Sequence, residues 1–317
     1  MNRRRFVVTA GLAALAMATP GRAQSRLFRW TGTALGAEAS IVLAADDVRR
    51  IEAVFTTTSA EIGRLERVFS LWRPGSALAM LNRDGVLRRP QSELVDLLSL
   101  CTALHHATAG TFDPTVQPLW LLRASEATNG RPAGVAALRT ARSRTGFARV
   151  EFDDDVIRFA RPGMALTLNG VAQGYIADAI AALLRAQGFA NVLINAGEFA
   201  AAGGHPQGRP WRIETTMPAE GGPPFAWHVT DGAVATSAAT LAGQVGGFCH
   251  IIDPRSGEAS ARQAQVSVRG PSAAIADGLS TAFILLDVRE IAATLASFPG
   301  YAAVAWGFDG AMSRFGV

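Results

Sequence analysis

The thirteen residues Leu166-Thr167-Leu168-Asn169-Gly170-Val171-Ala172-Gln173-Gly174-Tyr175-Ile176-Ala177-Asp178 constrain this chain most. Apolar residues lead in, two glycines punctuate the stretch, and an apolar run continues to Leu184. The pattern predicts a strand through Leu168, a tight turn at Asn169-Gly170, and a helix that ends at Gly188. A helix start leaves backbone N–H groups unpaired and carries positive partial charge, so it can hold a phosphate. Without a Cβ, Gly170 and Gly174 let a ligand approach the backbone closely. The stretch is neither G-x-x-x-x-G-K-[ST] nor G-x-G-x-x-G, so neither of these nucleotide loops is present. Taken alone, a plain strand-to-helix turn explains it better than a binding loop. The segments around it change that balance.

The chain has 317 residues, 49% hydrophobic and 18% charged, enough for a large core. Its net charge is +4 and every basic side chain outside histidine is Arg. The arginines are scattered and lack the interleaved aromatics of a nucleic-acid face. Arg3-Arg4-Arg5-Phe6 precedes an apolar run from Val7 to Ala18, then Pro20-Gly21-Arg22-Ala23. This reads as an export signal of twin-arginine type, with cleavage after Ala23 and a periplasmic destination. The apolar run is shorter than the roughly 20 residues that span a bilayer. Cys101 and Cys249 would meet an oxidising compartment, where pairing is open to them, although Cys101 lies in an apolar helical run.

Along the mature chain the pattern predicts a strand from Phe28, a glycine turn, and a second strand to Leu43. A helix begins at Asp46 and runs to Phe69, followed by an aromatic loop, Phe69 to Ser76. A second helix is capped at Ser92 and stopped by Gly110. Gly110 to Trp120, with two prolines, reads as rigid and irregular. Residues 121–146 read as a helical or mobile insertion, and Val150 to Phe159 as a hairpin turning at Asp153-Asp154-Asp155. Strands are expected at Asn191–Asn195, Pro210–Thr215, Ala226–Val229, Ala233–Ser237, Phe248–Asp253 and Ala264–Val268. Helices start near Ile275 and Val288, and a hairpin turns at Asp309-Gly310. Alternating strands with helices in separate blocks predict α+β, a mainly antiparallel sheet, in one domain over residues 24–317.

Six segments, in order, resemble the ApbE family of FAD:protein FMN transferases. They are Thr31-Gly32-Thr33, Ser76 to Asn82, Thr111-Phe112-Asp113-Pro114-Thr115, Asn169 to Asp178, His250-Ile251-Ile252-Asp253-Pro254 with Ser256-Gly257, and Ala276-Asp277 with Thr281-Ala282. The resemblance implies a sheet core flanked by helices, with a smaller helical and loop lobe. It also implies cleavage of FAD and attachment of FMN to a Thr of a target flavoprotein, with release of AMP. Such phosphoryl transfer rests on positioning and charge neutralisation.

The resemblance implies roles too. Asp277 and Thr281, four apart at a helix start, hold Mg²⁺ together with the backbone carbonyl of Gly170. Thr31, Trp72, Thr111, Phe112, Asp113, Thr167, Gln173 and Ile251 line the FAD site. Trp72 is equally suited to a core, and Asp113 to an Asx turn before Pro114. His250 is the first candidate for the base that takes the acceptor proton, with Asp253 as an alternative. His105 and His106 fall within a helix and read as surface or core residues. The implied acceptor is a flavoprotein with a Ser/Thr-Gly-Ala-Thr type segment.

Four departures stand out. Gln173 occupies the usual Lys position, and Thr167 stands where an acidic residue is common. Gly197-Glu198-Phe199 replaces G-G-D, and Thr236-Ser237-Ala238 replaces T-S-G. The Asn169 to Tyr175 form with the twin-arginine start resembles the NosX branch, whose acceptor would be a membrane flavoprotein of nitrous oxide reduction. Two other readings use the same residues: a periplasmic protein that binds FAD without transfer, and an FAD pyrophosphatase.

Overall fold

The computed structural model describes residues 26–45, 47–215, 225–239 and 249–316. The expected signal at residues 1–23, together with Asp46 and Phe248, lies outside them.

β1 (Arg26–Ala34) and β2 (Ala37–Ala45) form a hairpin. Its turn falls at Leu35 (φ +49) and Gly36 (φ +88), the two positive φ values that match strand twist. α1 (Val48–Phe69) is capped by Asp47, and its Glu66 carboxylate accepts the Leu35 N–H, tying helix to hairpin. α2 (Ala77–Asp84) starts at the Ser76 cap, and β3 (Val86–Arg88) follows. α3 (Ser92–Ala107) has Gln91 at its cap position, so Ser92 is its first helical residue.

A 3-10 turn at Pro114–Val116 leads into α4 (Gln117–Asn129), and α5 (Val135–Ser143) follows. β4 (Val150–Phe152) and β5 (Val156–Phe159) make the expected hairpin, with β3 as its third strand. After α6 (Ala172–Ala186) come β6 (Val192–Asn195), β7 (Phe199–Ala202), β8 (Trp211–Thr215), β9 (Phe225–Val229), β10 (Gly232–Ala238) and β11 (Gln265–Gly270). α7 (Ala273–Phe283), α8 (Val288–Leu295), β12 (Ala302–Trp306) and β13 (Met312–Phe315) complete the order.

The main sheet is antiparallel, in the order β1-β2-β6-β7-β10-β11-β12-β13. α6 and α7 lie side by side on one face, α1 reaches β1, and α3 packs against α1 and α7. Strand alternation then gives β10 two faces. Ala233 and Ala235 point into the main core under the helices, while Val234 points into a second core. There the β8–β9 hairpin packs Trp211, Ile213, Trp227 and Val229 against Val304 and Trp306. Trp227 Nε1 donates to Ser267 Oγ (2.9 Å), so the buried indole N–H is satisfied. α4 and α5 close on Leu119, Ala141 and Ile252, the smaller lobe.

The structure departs from the expected elements in four places. Leu166 to Leu168 is not a strand. The Leu166 N–H donates to Asn82 Oδ1 (2.7 Å), its carbonyl accepts from Asn82 Nδ2 (2.8 Å), and the Thr167 N–H donates to Pro114 O (2.7 Å). One amide side chain and one loop carbonyl use the groups a ladder would need. Cys249 to Asp253 is also not a strand; Asp253 closes a local loop to Gly257 and Glu258 instead. The proline-rich stretch is partly helical, because Pro118 sits in the first turn of α4, where a backbone N–H has no helical partner. Finally, α7 starts at Ala273 with Ser272 as cap, so Asp277 lies inside the helix, not at its start.

Gly174 has a different use from the one its sequence context suggests. A Cβ there would lie 2.3 Å from the Ala273 carbonyl oxygen, so the missing side chain lets α6 meet the backbone of α7. Gly174→Ala is expected to lower stability by about 1–3 kcal/mol, since backbone must shift to relieve the clash. Thermal melts of the two proteins check this; an unchanged midpoint would refute the close approach.

Candidate functional site

The site is assembled where α6 meets α7. Asp178 accepts from Ser272 Oγ (2.7 Å), the Ala273 N–H (2.8 Å) and the Ala274 N–H (3.0 Å), so α6 supplies the anchor for the first turn of α7. One turn further along α7, Asp277 and Thr281 share a face. The Gly174 N–H donates to Asp277 Oδ2 (3.1 Å). A Cβ on Gly170 would lie 2.9 Å from Thr281 Oγ1, which puts the Asn169-Gly170 turn against that hydroxyl. Ser237 of β10 closes the other side, its Oγ 2.8 Å from Ser280 Oγ and 3.3 Å from Thr281 Oγ1. The three residues expected to hold a metal therefore converge. The phosphate-holding capacity expected of the α6 start is partly used inside the protein, since Gly174 N–H serves Asp277 and Ala172 N–H turns back to Leu168 O.

This junction is acidic and dry. Asp277 is 3% exposed. Burial pushes its pKa up to about 7, opposed by the Gly174 N–H and reinforced by the charge of Asp178. Burial also raises Glu198, the charge of Asp277 raises it further, and the Thr236 N–H (2.9 Å) opposes both. Asp178 is raised by burial against its three helix-capping donors. Among the described residues no ion pair reaches Asp277 or Glu198, although the structure pairs many other carboxylates with arginine. No group of three His, Cys, Asp or Glu converges among the described residues, so a metal here would depend on hydroxyl and carbonyl oxygens as well. Asp277, Thr281 and the Gly170 backbone, brought together here, would offer hard oxygens, the donor type that suits Mg²⁺ rather than a soft metal.

A second group of expected residues surrounds the Thr111-Phe112-Asp113 loop. Asp113 Oδ1 accepts the Thr115 N–H (2.8 Å) and hydroxyl, and Oδ2 accepts the Phe147 N–H (3.2 Å). Its carboxylate thus braces the loop as an Asx turn. His105 Nδ1 donates to Phe112 O (2.9 Å) and stands 4.0 Å from Asp113 Oδ2, which gives this helical histidine a place in the loop. Thr111 Oγ1 is buried without a partner, and Phe112 is buried. Thr167 joins this loop to the α6 stretch through Pro114. Burial raises the Cys101 thiol, and the charges of Asp113 and Asp277 raise it further, so both carboxylates lie within electrostatic reach of α3. Cys101 and Cys249 are both free thiols.

Gln173 packs against Gly197; a Cβ on that glycine would sit 2.3 Å from Gln173 Nε2. Thr31 is exposed on β1. Trp72 is 69% exposed, which excludes the core role that a tryptophan equally suits. Ile251 is buried, and the His250 Nδ1 beside it is buried with no partner. Burial holds His250 below the ordinary imidazole value, with a backbone hydrogen bond at Ala239 opposing. Asp253 is raised by burial but held below the usual carboxylate value overall by Arg255, through its guanidinium and N–H. No hydrogen bond among the described residues joins Thr31, Trp72, His250 or Ile251 to the Asp277 junction.

Sequence reasoning missed Asp178, Glu198 and Ser237. Asp178 ends the opening stretch at i+4 from Gly174, a signal for one more polar contact on that helix face. Glu198 and Ser237 lie in two of the motif departures noted above, but only the sheet brings them beside the site, and spacing carries no sign of that.

Known proteins share this sequence pattern and this fold. The ApbE family model matches residues 35–305. An FAD:protein FMN transferase of Chlamydia pneumoniae is 30% identical over 242 residues, covering 71% of this chain and 74% of that protein. The enzyme of the same description from Klebsiella pneumoniae is 27% identical over 286 residues, covering 84% and 81%. The fold of the apo flavinyl transferase ApbE of Pseudomonas stutzeri superposes with a TM-score of 0.80 at 24% identity, covering 94% of this chain and 98% of that one. The flavin transferase ApbE of Vibrio cholerae gives 0.79 at 22% identity, covering 92% and 97%.

The buried Asp277 makes stability depend on pH. A carboxylate raised from 3.8 to about 7 stabilises the fold while protonated, fully below its unfolded value, and this is lost as pH climbs through about 7. In EDTA, the melting temperature should fall from pH 5.5 to 8.5 more steeply in the wild type than in Asp277→Asn. Calorimetry across that range checks it, and parallel pH profiles would refute it.

Proposed function

Since the chain belongs to the ApbE family, we propose that it acts as an FAD:protein FMN transferase whose centre is the α6–α7 junction. The observation that carries this reading is the convergence of Asp277, Thr281 and Gly170 at one buried point. In this reaction the acceptor threonine oxygen forms a bond to the FMN phosphorus, the pyrophosphate P–O bond breaks, and AMP leaves. The acceptor is a flavoprotein threonine in a Ser/Thr-Gly-Ala-Thr type segment.

Asp277, the Thr281 hydroxyl and the Gly170 carbonyl would hold Mg²⁺, which when bound supplies charge neutralisation at the pyrophosphate. The other residues position and exclude. Trp72 offers an exposed indole face for the isoalloxazine. Thr31, Thr111, Phe112, Thr167, Gln173 and Ile251 line the dinucleotide, and Asp113 acts through the loop it braces. Thr111 brings a buried hydroxyl with no protein partner. Gln173 hydrogen-bonds without adding charge.

His250 takes the acceptor proton. Burial keeps its imidazole neutral near pH 7, which a base requires, and Nδ1 has no protein partner. Asp253 is poorly suited, because Arg255 holds its carboxylate ionised and occupied. The twin-arginine start supports a periplasmic site of action. With the Asn169 to Tyr175 form, it also supports an acceptor in the membrane machinery of nitrous oxide reduction.

Mass spectrometry tests the function. An acceptor domain incubated with the protein, FAD and Mg²⁺ should gain one FMN. Asp277→Ala should slow this by at least roughly 100-fold, as loss of a charge-stabilising group does. Trp72→Ala should raise KM for FAD more than it lowers kcat. Free FMN and AMP without adduct would indicate a pyrophosphatase, and intact bound FAD a binding protein.

A further inference from the structure

Glu198 is buried to 9% exposure and has no established task. Its position is tightly set. Gly197 adopts φ +101, its N–H donates to Asn195 Oδ1 (3.0 Å), and the Ala196 N–H donates to Glu198 O (3.0 Å). This turn between β6 and β7 sends the Glu198 side chain inward. There one carboxylate oxygen accepts the Thr236 N–H. The β7–β10 pairing covers Gly232 to Val234 only, so Glu198 takes over where the ladder stops. Thr236 adjoins Ser237, whose hydroxyl reaches Thr281.

A buried carboxylate is costly unless an opposite charge faces it. No ion pair reaches Glu198 among the described residues. The side chain nearest to its glycine neighbour is the uncharged Gln173. Gln173 adjoins Gly174, whose N–H donates to Asp277, so the charge on that side has the same sign as Glu198. Three donors at the start of α7 serve Asp178, and nothing comparable serves Glu198 beyond a single N–H. Two like charges in one dry junction are stable together when a divalent cation lies between or beside them.

We propose that Glu198 supplies the second negative charge of the divalent-cation site, acting with Asp277 to hold a hard cation at the α6–α7 junction. This rests on the cation reading of Asp277 above and deepens it. Glu198 raises affinity for a divalent over a monovalent ion, because each added unit of facing charge favours the doubly charged ion twice as much. It is a positioning residue for the transfer and makes no contact with the acceptor in this role.

The test uses Mn²⁺ as probe on the full mature chain, with binding read by calorimetry and electron paramagnetic resonance, and melting read in EDTA. Glu198→Gln keeps an acceptor for the Thr236 N–H but removes the charge. It should weaken Mn²⁺ binding by 10- to 100-fold, the range for residues supporting a metal site. Glu198→Asp, which keeps the charge, should weaken it less. At pH 8 in EDTA, Glu198→Gln should melt no lower than the wild type, because a repulsion has been removed. Mn²⁺ affinity within twofold of wild type in Glu198→Gln, with Asp277→Asn defective, overturns this inference alone. A lower melting point of Glu198→Gln in EDTA makes the residue structural and also overturns it. A wild-type protein that binds no Mn²⁺ overturns the cation reading of Asp277 and this inference with it.

Discussion

The contact between α6 and α7 is the constraint on which the rest of the site depends. Three features lie within one helical turn and a half: Asp178 on the first turn of α7, Gly174 against Ala273, and the Gly174 N–H on Asp277. Glycine at 174 is needed because two backbones meet, and no side chain fits between them. Asp178 is needed because a helix start buried against another helix leaves N–H groups that water cannot serve. Together they aim Asp277 and Thr281 at Gly170.

Burial then gives those groups their chemistry. The sheet and α3 exclude water from the junction, so Asp277 and Glu198 meet a low dielectric and few donors. That dryness makes each carboxylate costly to hold ionised without an opposite charge. On the other side, the Thr111 to Asp113 loop is rigid because Asp113 spends its lone pairs on Thr115 and Phe147. A rigid loop, an acidic junction and the exposed Trp72 are three physically different surfaces. One part holds shape, one holds charge, and one offers an apolar face.

Much of this was legible in the residue order, and the misses have identifiable physical causes. Alternation found β2, runs beside turns found β1 and β10, helical spacing found α1 and α3, and the apolar run after the glycines found α6. Leu166 to Leu168 has strand character, but Asn82, more than eighty positions away, takes both backbone groups of Leu166. The glycine at 174 announced a close approach, but the partner was a helix rather than a ligand. Asp277 with Thr281 came from the family resemblance, and helical spacing adds only that i and i+4 share a face. Their place inside α7 was not legible, because the cap at Ser272 is completed by Asp178 from another element.

Local spacing and composition therefore determined the α+β class and most helices and strands, and the motif resemblance singled out Asp277 with Thr281. Each of these depends on residues a few positions apart. Tertiary structure decided which groups share the junction. Glu198, Ser237 and Asp178 come from β7's leading turn, β10 and α6, and only the antiparallel order of the sheet brings them to α7. Burial decided the rest, because a carboxylate's charge state and an imidazole's basicity depend on the solvent removed around them, which no short stretch of sequence contains.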